Sequence, residues 1–255
     1  MVKIAIIQYS TYGHVTTLAK AIQQGVVSQG GSADIFQIPE TLTDEVLALI
    51  HAPAKPADIP IATLETLKEY DAFLFGFPTR YGTLPSQFSS FWDSTGGLWA
   101  SGDLAGKPYG LFVSTGTPGG GQEATIRNSL SSFTHHGMIY IPLGYGAVFP
   151  LLTNLEEPHG GSPWGSGVFA GGDGSRQASE LELKVATEQG SYFYNKVKKF
   201  GTSSTASAAT GTTTSTAAAA TNKSSTTPKK ETRKAQSTTA ETEKQSTSSK
   251  CCILM

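Results

Sequence analysis

Three segments of this sequence combine hydroxyl side chains, glycines and an occasional aromatic or cationic residue. Ser10-Thr11-Tyr12-Gly13-His14-Val15-Thr16-Thr17 leads from an apolar run into a helical repeat. Hydroxyls, a glycine and a helix N-terminus offer backbone N–H groups and a positive dipole end that suit a phosphate. The same residues would serve equally as a Ser/Thr N-cap with no ligand. The segment lacks the spaced glycines of a dinucleotide fingerprint and the Gly-Lys-Ser/Thr of a P-loop. Pro78-Thr79-Arg80-Tyr81-Gly82-Thr83-Leu84-Pro85 could support an apolar ring plane, with Arg80 adding positive charge, or form no more than a tight turn. Ser114-Thr115-Gly116-Thr117-Pro118-Gly119-Gly120-Gly121-Gln122-Glu123 carries enough glycine for backbone amides to approach a planar ligand closely; a bare glycine-rich linker is the alternative.

A different chemistry is written at the end of the chain. Cys252-Ile253-Leu254-Met255 fits the C-a-a-X pattern for prenylation, and Met in the last place reads as farnesyl. Cys251 directly before it would supply a second, palmitoyl, signal, which stable anchoring needs. These are the only 2 cysteines of the 255 residues, so the rest of the chain can form neither disulfides nor thiolate metal sites. Residues 201–250 are almost entirely Ser, Thr, Ala, Lys, Glu and Gln, a composition too poor in apolar surface to fold. Residues 202–255 hold seven Lys and Arg against three Glu, a net +4, within a whole-chain charge of −1. That excess would favour an anionic leaflet, although only Lys244 and Lys250 lie close to the cysteines, and it reads equally as a solvated charge mix.

The elements that must position the three loops alternate strand and helix. Residues 3–9 form an apolar run typical of a strand buried on both faces, and Val15, Leu18, Ala19, Ile22 and Val26 recur at helical spacing until Gly30-Gly31. Further strands are expected at 33–38, 71–77, 109–114 and 138–143, with helices around 61–70, 86–95, 123–135 and 177–199. This predicts an α/β, three-layer fold with a five-stranded parallel sheet in the flavodoxin-like order 2-1-3-4-5. The domain should occupy residues 1–200, followed by a disordered linker over 201–250 and the lipidation motif at 251–255. Residues 40–60 and 150–176 read as long loops. No segment resembles a signal peptide or a membrane span. In such a sheet ligands bind outside the carboxyl ends of the strands, where all three loops fall. Together they suit flavin mononucleotide.

These residues also carry a family resemblance. Tyr9-Ser10-Thr11-Tyr12-Gly13-His14, Gly76-Phe77-Pro78-Thr79-Arg80-Tyr81-Gly82 and Thr95-Gly96-Gly97-Leu98-Trp99-Ala100-Ser101-Gly102 resemble signatures of the tryptophan-repressor-binding-protein (WrbA) type of flavodoxin-like NAD(P)H:quinone oxidoreductases. So do Ser114-Thr115-Gly116-Thr117 with Gly119-Gly120-Gly121-Gln122-Glu123, His135-His136-Gly137-Met138, and Ala170-Gly171-Gly172-Asp173-Gly174-Ser175-Arg176-Gln177. Pro118 stands as an extra residue in the glycine-rich loop, and the tail is similar to that of lipidated fungal members. The resemblance implies FMN as cofactor, NADH or NADPH as co-substrate, a quinone as acceptor, and a tetramer or dimer. By position it implies that Ser10, Thr11, Tyr12, Gly13, His14 and Val15 bind the FMN phosphate, and that Thr79, Arg80 and Tyr81 lie along the isoalloxazine. Ser114, Thr115, Gly116, Thr117, Pro118, Gly119 and Gly120 would wrap its far edge, with His135 reaching the flavin. Tyr12 would lie on the nicotinamide side and Trp99 at the quinone pocket. Read without it, Tyr12 is a loop aromatic, Trp99 a core or interface aromatic, and His135 and His136 satisfied histidines.

The implied chemistry is hydride transfer from the nicotinamide to the flavin, then two-electron reduction of a quinone, with no side-chain nucleophile and no metal. The tail would place this at the cytoplasmic face of a membrane, with no nucleic-acid partner expected. A tethered scaffold or stress regulator with little turnover, and a one-electron carrier, are the competing readings.

Overall fold

In the computed structural model of the chain, residues 1–200 are described. The chain divides into a unit Met1–Ala208 and a unit Ala209–Met255, the second of which lies wholly outside the described residues. The expected linker and the Cys251–Cys252 motif therefore fall outside them too.

Strand β1 (Ile4–Gln8) is buried at every position, as its unbroken apolar run demands. It lies between β2 (Ala33–Gln37) and β3 (Ala72–Pro78), both parallel to it, and β3 pairs in parallel with β4 (Pro108–Thr115). The sheet order is β2-β1-β3-β4-β5, as the alternation of elements predicts. The count of five strands needs correction, because the β4 edge is shared. β5 is only Ile139–Tyr140, and its pairing with Pro108 and Tyr109 ends where Pro142, lacking an N–H, interrupts the ladder. The chain then leaves the sheet through a short helix, α7 (Phe149–Leu152), and returns as β6 (Gly167–Phe169), which pairs with Val113–Thr115. The stretch 150–176 thus hides a strand, too short for periodicity to show. Residues 40–60 hold a helix, α2 (Asp44–Leu49), capped by the Thr43 side chain but burying none of its residues, and α3 (Leu64–Glu69) follows before β3.

On one face, α1 (His14–Ser28) and α8 (Glu180–Val197) cover Ile4, Ile6, Leu74 and Phe112. On the other face, α4 (Ser86–Asp93) and α6 (Gln122–Thr134) press Phe88, Trp92 and Phe133 onto Phe73, Phe75 and Tyr109. Phe75 and Phe133 stack with centroids 4.9 Å apart, and Trp92 meets Phe133 edge-on at 4.7 Å. Offset and edge-to-face geometries are those the ring quadrupoles favour. A short helix, α5 (Gly96–Ser101), follows α4.

Helices α1 and α8 touch through backbone. A Cβ on Gly190 would stand 2.0 Å from the Ile22 carbonyl oxygen, and one on Gly25 would stand 1.9 Å from that of Thr187. Alanine is the better helix former by about 1 kcal/mol. Gly190→Ala should nonetheless destabilise the fold by about 1–3 kcal/mol, because the obstacle is a carbonyl that cannot rotate aside. Urea denaturation checks this, and a stability equal to or above wild type would show that the helices separate freely.

Candidate active site

The three loops emerge together at the carboxyl edge of β1, β3 and β4. In the first, the Ser10 hydroxyl accepts from the N–H groups of Gly13 (3.0 Å) and Val15 (3.2 Å), folding residues 10–15 back on themselves. Gly13 has φ +91, a conformation glycine adopts without strain. The N–H groups of Thr11, Tyr12 and His14 have no acceptor among the described residues and remain available to an anion at the start of α1. Lys55 holds this loop from behind. Its Nζ donates to the Ser10 carbonyl at 2.6 Å, pairs with Glu40 at 3.2 Å and lies 4.4 Å above the Tyr9 ring. Burial alone would raise the Glu40 carboxyl, but the Leu42 N–H, the Tyr9 hydroxyl, Lys55 and the Thr41 N–H outweigh it and hold the group below its usual range. The same burial pushes the Tyr9 phenol up to about 12. Tyr12 is 46% exposed and donates through its hydroxyl to the Ile50 carbonyl at 3.0 Å. His14 is buried, with Nε2 at 2.9 Å from the Arg176 carbonyl; a carbonyl only accepts, so Nε2 carries the proton.

In the second loop, Arg80 and Thr83 exchange both backbone hydrogen bonds at 3.0 Å, closing a two-residue turn over Tyr81 and Gly82. Their φ values of +53 and +75 are those of a primed hairpin turn, which favours Asn-Gly and strains an aromatic residue in first place. The Tyr81 side chain is fully exposed. Helix α6 steadies the turn: the Thr125 hydroxyl, whose hydrogen goes to the Gly121 carbonyl at 2.8 Å, accepts from the Thr79 hydroxyl at 2.7 Å, and Asn128 donates to the Gly82 carbonyl at 2.8 Å. The Arg80 guanidinium turns back onto the Thr79 carbonyl at 2.9 Å.

In the third loop Ser114 and Thr115 are buried, and Pro118 opens a 3₁₀ turn, Pro118–Gly120. The Ser114 carbonyl accepts from the Thr79 N–H at 2.8 Å, tying the second and third loops together. The N–H groups of Gly116, Thr117 and Gly119 find no acceptor among the described residues, and a Cβ on Gly119 would meet nothing within 4 Å. Free donors in the first and third loops, flanking an exposed aromatic turn, fit a phosphate at one end and a flat, carbonyl-edged ring at the other. The residues present therefore fit FMN.

Two brace residues carry no signal in loop composition. Glu182, wholly buried, accepts from the N–H groups of Gly160, Phe169 and Ser179 and from Arg176 at 2.8 Å. Arg176 also donates to the carbonyls of Phe169 and Pro158. Through the Arg176 carbonyl this cluster reaches His14, and through the Ala170 N–H to the Thr115 carbonyl (2.8 Å) it reaches the third loop. Ser179-x-x-Glu182 is a capping box, a pattern legible in sequence as a helix start. Its second role needed the fold.

Trp99 and His135 meet elsewhere. They line a recess with Trp92, Asp93, Thr95 and His136, one that contains none of the residues of the three loops. Trp99 is 60% exposed. His136 is buried, its Nε2 at 2.8 Å from the Thr95 hydroxyl. That hydroxyl gives its hydrogen to the Trp92 carbonyl at 2.6 Å, so His136 Nε2 is the donor and its Nδ1 has no partner among the described residues.

Comparison with known proteins settles the family. Residues 2–148 match the family described as NADPH-dependent FMN reductase. The chain belongs to this family. It is 62% identical over 214 residues to "NAD(P)H quinone oxidoreductase YCP4" of Candida albicans, covering 81% of this chain and 74% of that protein. It is 59% identical over 200 residues to "Protoplast secreted protein 2" of Saccharomyces cerevisiae, covering 78% of this chain and all of the relative. A flavodoxin, WrbA-like protein from Agrobacterium tumefaciens shares the fold, with TM-score 0.54 and 20% identity over 78% of this chain and 99% of that one. The protein is an oxidoreductase with FMN as cofactor and NADH or NADPH as reductant.

Two outcomes follow from this geometry. Tyr81→Asn keeps the turn and removes the strain, so unfolding of the FMN-free protein should require about 1 kcal/mol more. Flavin fluorescence titration should show weaker FMN binding at the same time; an unchanged denaturation midpoint would show that the turn is unstrained. Burial holds His136 below the ordinary imidazole value, so the unfolded state binds its proton first as pH falls. The contribution of neutral His136 is thus intact above that ordinary value and lost progressively as pH drops through it toward the depressed folded value. Between about pH 8 and about pH 5 the melting temperature of wild type should fall more steeply than that of His136→Gln; parallel profiles would exclude the effect.

Proposed function

We propose that this family member is an FMN-dependent NAD(P)H:quinone oxidoreductase that reduces quinones by two electrons. The observation that carries the reading is the set of free N–H groups in the first and third loops, on either side of the exposed Tyr81 turn at one sheet edge. The names of the Candida relatives support the quinone as acceptor. Bound FMN would supply the capacity to take up a hydride and pass it on. Ser10 to Val15 hold its phosphate, with the N–H groups of Thr11, Tyr12 and His14 as donors. Thr79, Arg80 and Tyr81 lie along the ring, and Ser114 to Gly120 face its carbonyl edge, where backbone donors stabilise negative charge. Tyr12, anchored at its hydroxyl but half exposed, borders the nicotinamide. Trp99 and His135 belong to the quinone side; since their recess excludes the loops, a neighbouring copy in a dimer or tetramer would bring them to the flavin. The exposure of Trp99 supports that arrangement.

The remainder of the reading concerns place. No helix among the described residues is long and apolar enough to cross a membrane. Lipids on Cys251 and Cys252 would tether the 1–200 domain to the cytoplasmic face of a membrane, where lipid-soluble quinones reside. Protein reconstituted with stoichiometric FMN should oxidise NADPH and form hydroquinone from benzoquinone one for one. Bound flavin without turnover would overturn the enzymatic reading in favour of a scaffold. Intact mass of the native protein tests the tether: a mass matching the bare chain, with Ile253–Met255 retained, would remove it.

A further inference from the structure

Behind the phosphate loop, on its β2 side, lies a cavity of about 200 Å³. Its floor is Gln8 and Gln37, the last residues of β1 and β2, which stand opposite one another in the ladder. Both are more than nine-tenths buried, at 1% and 7% exposure. Each amide spends one half on the fold. The Gln8 oxygen accepts from the Thr16 hydroxyl at 3.2 Å, and the Gln37 nitrogen donates to the carbonyls of Pro56 (3.1 Å) and Ile59 (2.6 Å). The Gln8 Nε2 and the Gln37 Oε1 are left with no partner among the described residues, one donor beside one acceptor on the cavity floor. The two carbonyls bound by Gln37 fix which end of its amide faces inward.

The walls add two further features. Pro53, Ala54 and Pro56 present flat apolar surface on one side, while Lys20 projects from α1 on the other. Lys55 is committed to Glu40 and Ser10, but Lys20 has no ion pair among the described residues, and no carboxylate lines the cavity. A donor–acceptor amide pattern is what reads the N6 and N7 edge of adenine. An ammonium beside it suits a phosphate.

We propose that this cavity takes the adenosine end of the pyridine nucleotide, with Gln8 and Gln37 reading the adenine edge and Lys20 meeting the 2′-phosphate that distinguishes NADPH from NADH. The inference rests on the pyridine nucleotide being the reductant, and it makes the 40–60 segment a specificity element for that reductant. Because the cavity shares Ser10, Thr11 and Gly13 with the phosphate loop, one dinucleotide would straddle the loop, its nicotinamide on the flavin side and its adenosine on the β2 side.

The test uses the full chain loaded with FMN. Lys20→Ala should raise KM for NADPH about tenfold, the loss of one charge-assisted contact, and leave KM for NADH and kcat unchanged. Ala54→Phe should fill the cavity from an exposed position and raise KM for both nucleotides. FMN affinity should stay at the wild-type value in both variants, which controls for folding. 2′,5′-ADP, the adenosine half of NADPH, should inhibit competitively against NADPH, and calorimetry should detect its binding to wild type and its loss in Ala54→Phe. Unchanged KM values in FMN-loaded variants, non-competitive inhibition, or equal 2′,5′-ADP binding by Ala54→Phe would each overturn the proposal. If wild type showed no NADPH oxidation at all, the enzymatic reading would fail by itself, and calorimetry would still decide whether the cavity binds adenosine phosphates.

Discussion

The buried carboxylate of Glu182 is the constraint on which the arrangement of loops depends. A charge removed from water is tolerated only when hydrogen bonds and an opposite charge replace the solvent. Here three backbone N–H groups and Arg176 do so, drawn from the 158–161 stretch, β6, the 170–176 turn and the start of α8. Their other contacts are separate ones: Gly161 N–H donates to Gln122 at 2.8 Å, β6 pairs with β4, and α8 packs on α1. β6 has three residues, and the 170–176 turn contributes no strand to the sheet. The cluster makes them one unit, and that unit presents two carbonyl and amide groups to the site: Arg176 O to His14, and Ala170 N–H to Thr115. The phosphate loop and the glycine-rich loop are thereby set at a fixed spacing by a residue that touches neither.

The second loop is positioned differently, by the aromatic face. Phe133 lies against Phe75 and Tyr109, which seats α6 on the sheet, and α6 then offers Thr125 and Asn128 to the Tyr81–Gly82 turn. A strained turn persists only when its surroundings over-determine it. Four fixed hydrogen bonds do so here: the exchanged Arg80–Thr83 pair and the two with α6. Packing energy in the core is in this way converted into the direction of one exposed tyrosine.

How much of this the sequence revealed follows from the range of the interactions. The apolar run of β1 and the helical spacing of Val15, Leu18, Ile22 and Val26 are local signals, and the elements stand where they predict. The loops were legible because sheet topology alone sends ligand-binding segments to one edge. β6 was hidden because three residues carry no periodicity, and the division of the β4 edge depends on a pairing 54 residues apart, Val113 with Gly167. Glu182 fell inside the helix expected over 177–199 with nothing to single it out, since its bonds to Gly160 and Phe169 are tertiary. Lys55 and Glu40 sat in a segment that composition marked only as a loop. Trp99 and His135 were recognised by resemblance, and the recess they share is a neighbourhood no local pattern describes.

The pairing of Lys55 with Glu40 explains how a loop with no free cation of its own is made ready for a phosphate. In a trans peptide the carbonyl and the following N–H point in opposite directions. Lys55 pins the Ser10 carbonyl toward the 40–60 segment, so the Thr11 N–H must face away from it. The Thr17 N–H and hydroxyl likewise hold the Gly13 carbonyl along α1, so the His14 N–H faces out of the helix end. The Ser10 hydroxyl, by taking the N–H groups of Gly13 and Val15, leaves those of Thr11, Tyr12 and His14 as the free donors. Orientation comes from hydrogen bonds on the far side of the loop, and the lysine that supplies one of them is neutralised by Glu40. The donor array is therefore fixed before any anion arrives, and its affinity comes from aligned amides and the α1 dipole rather than from a side-chain charge that solvent and salt would screen.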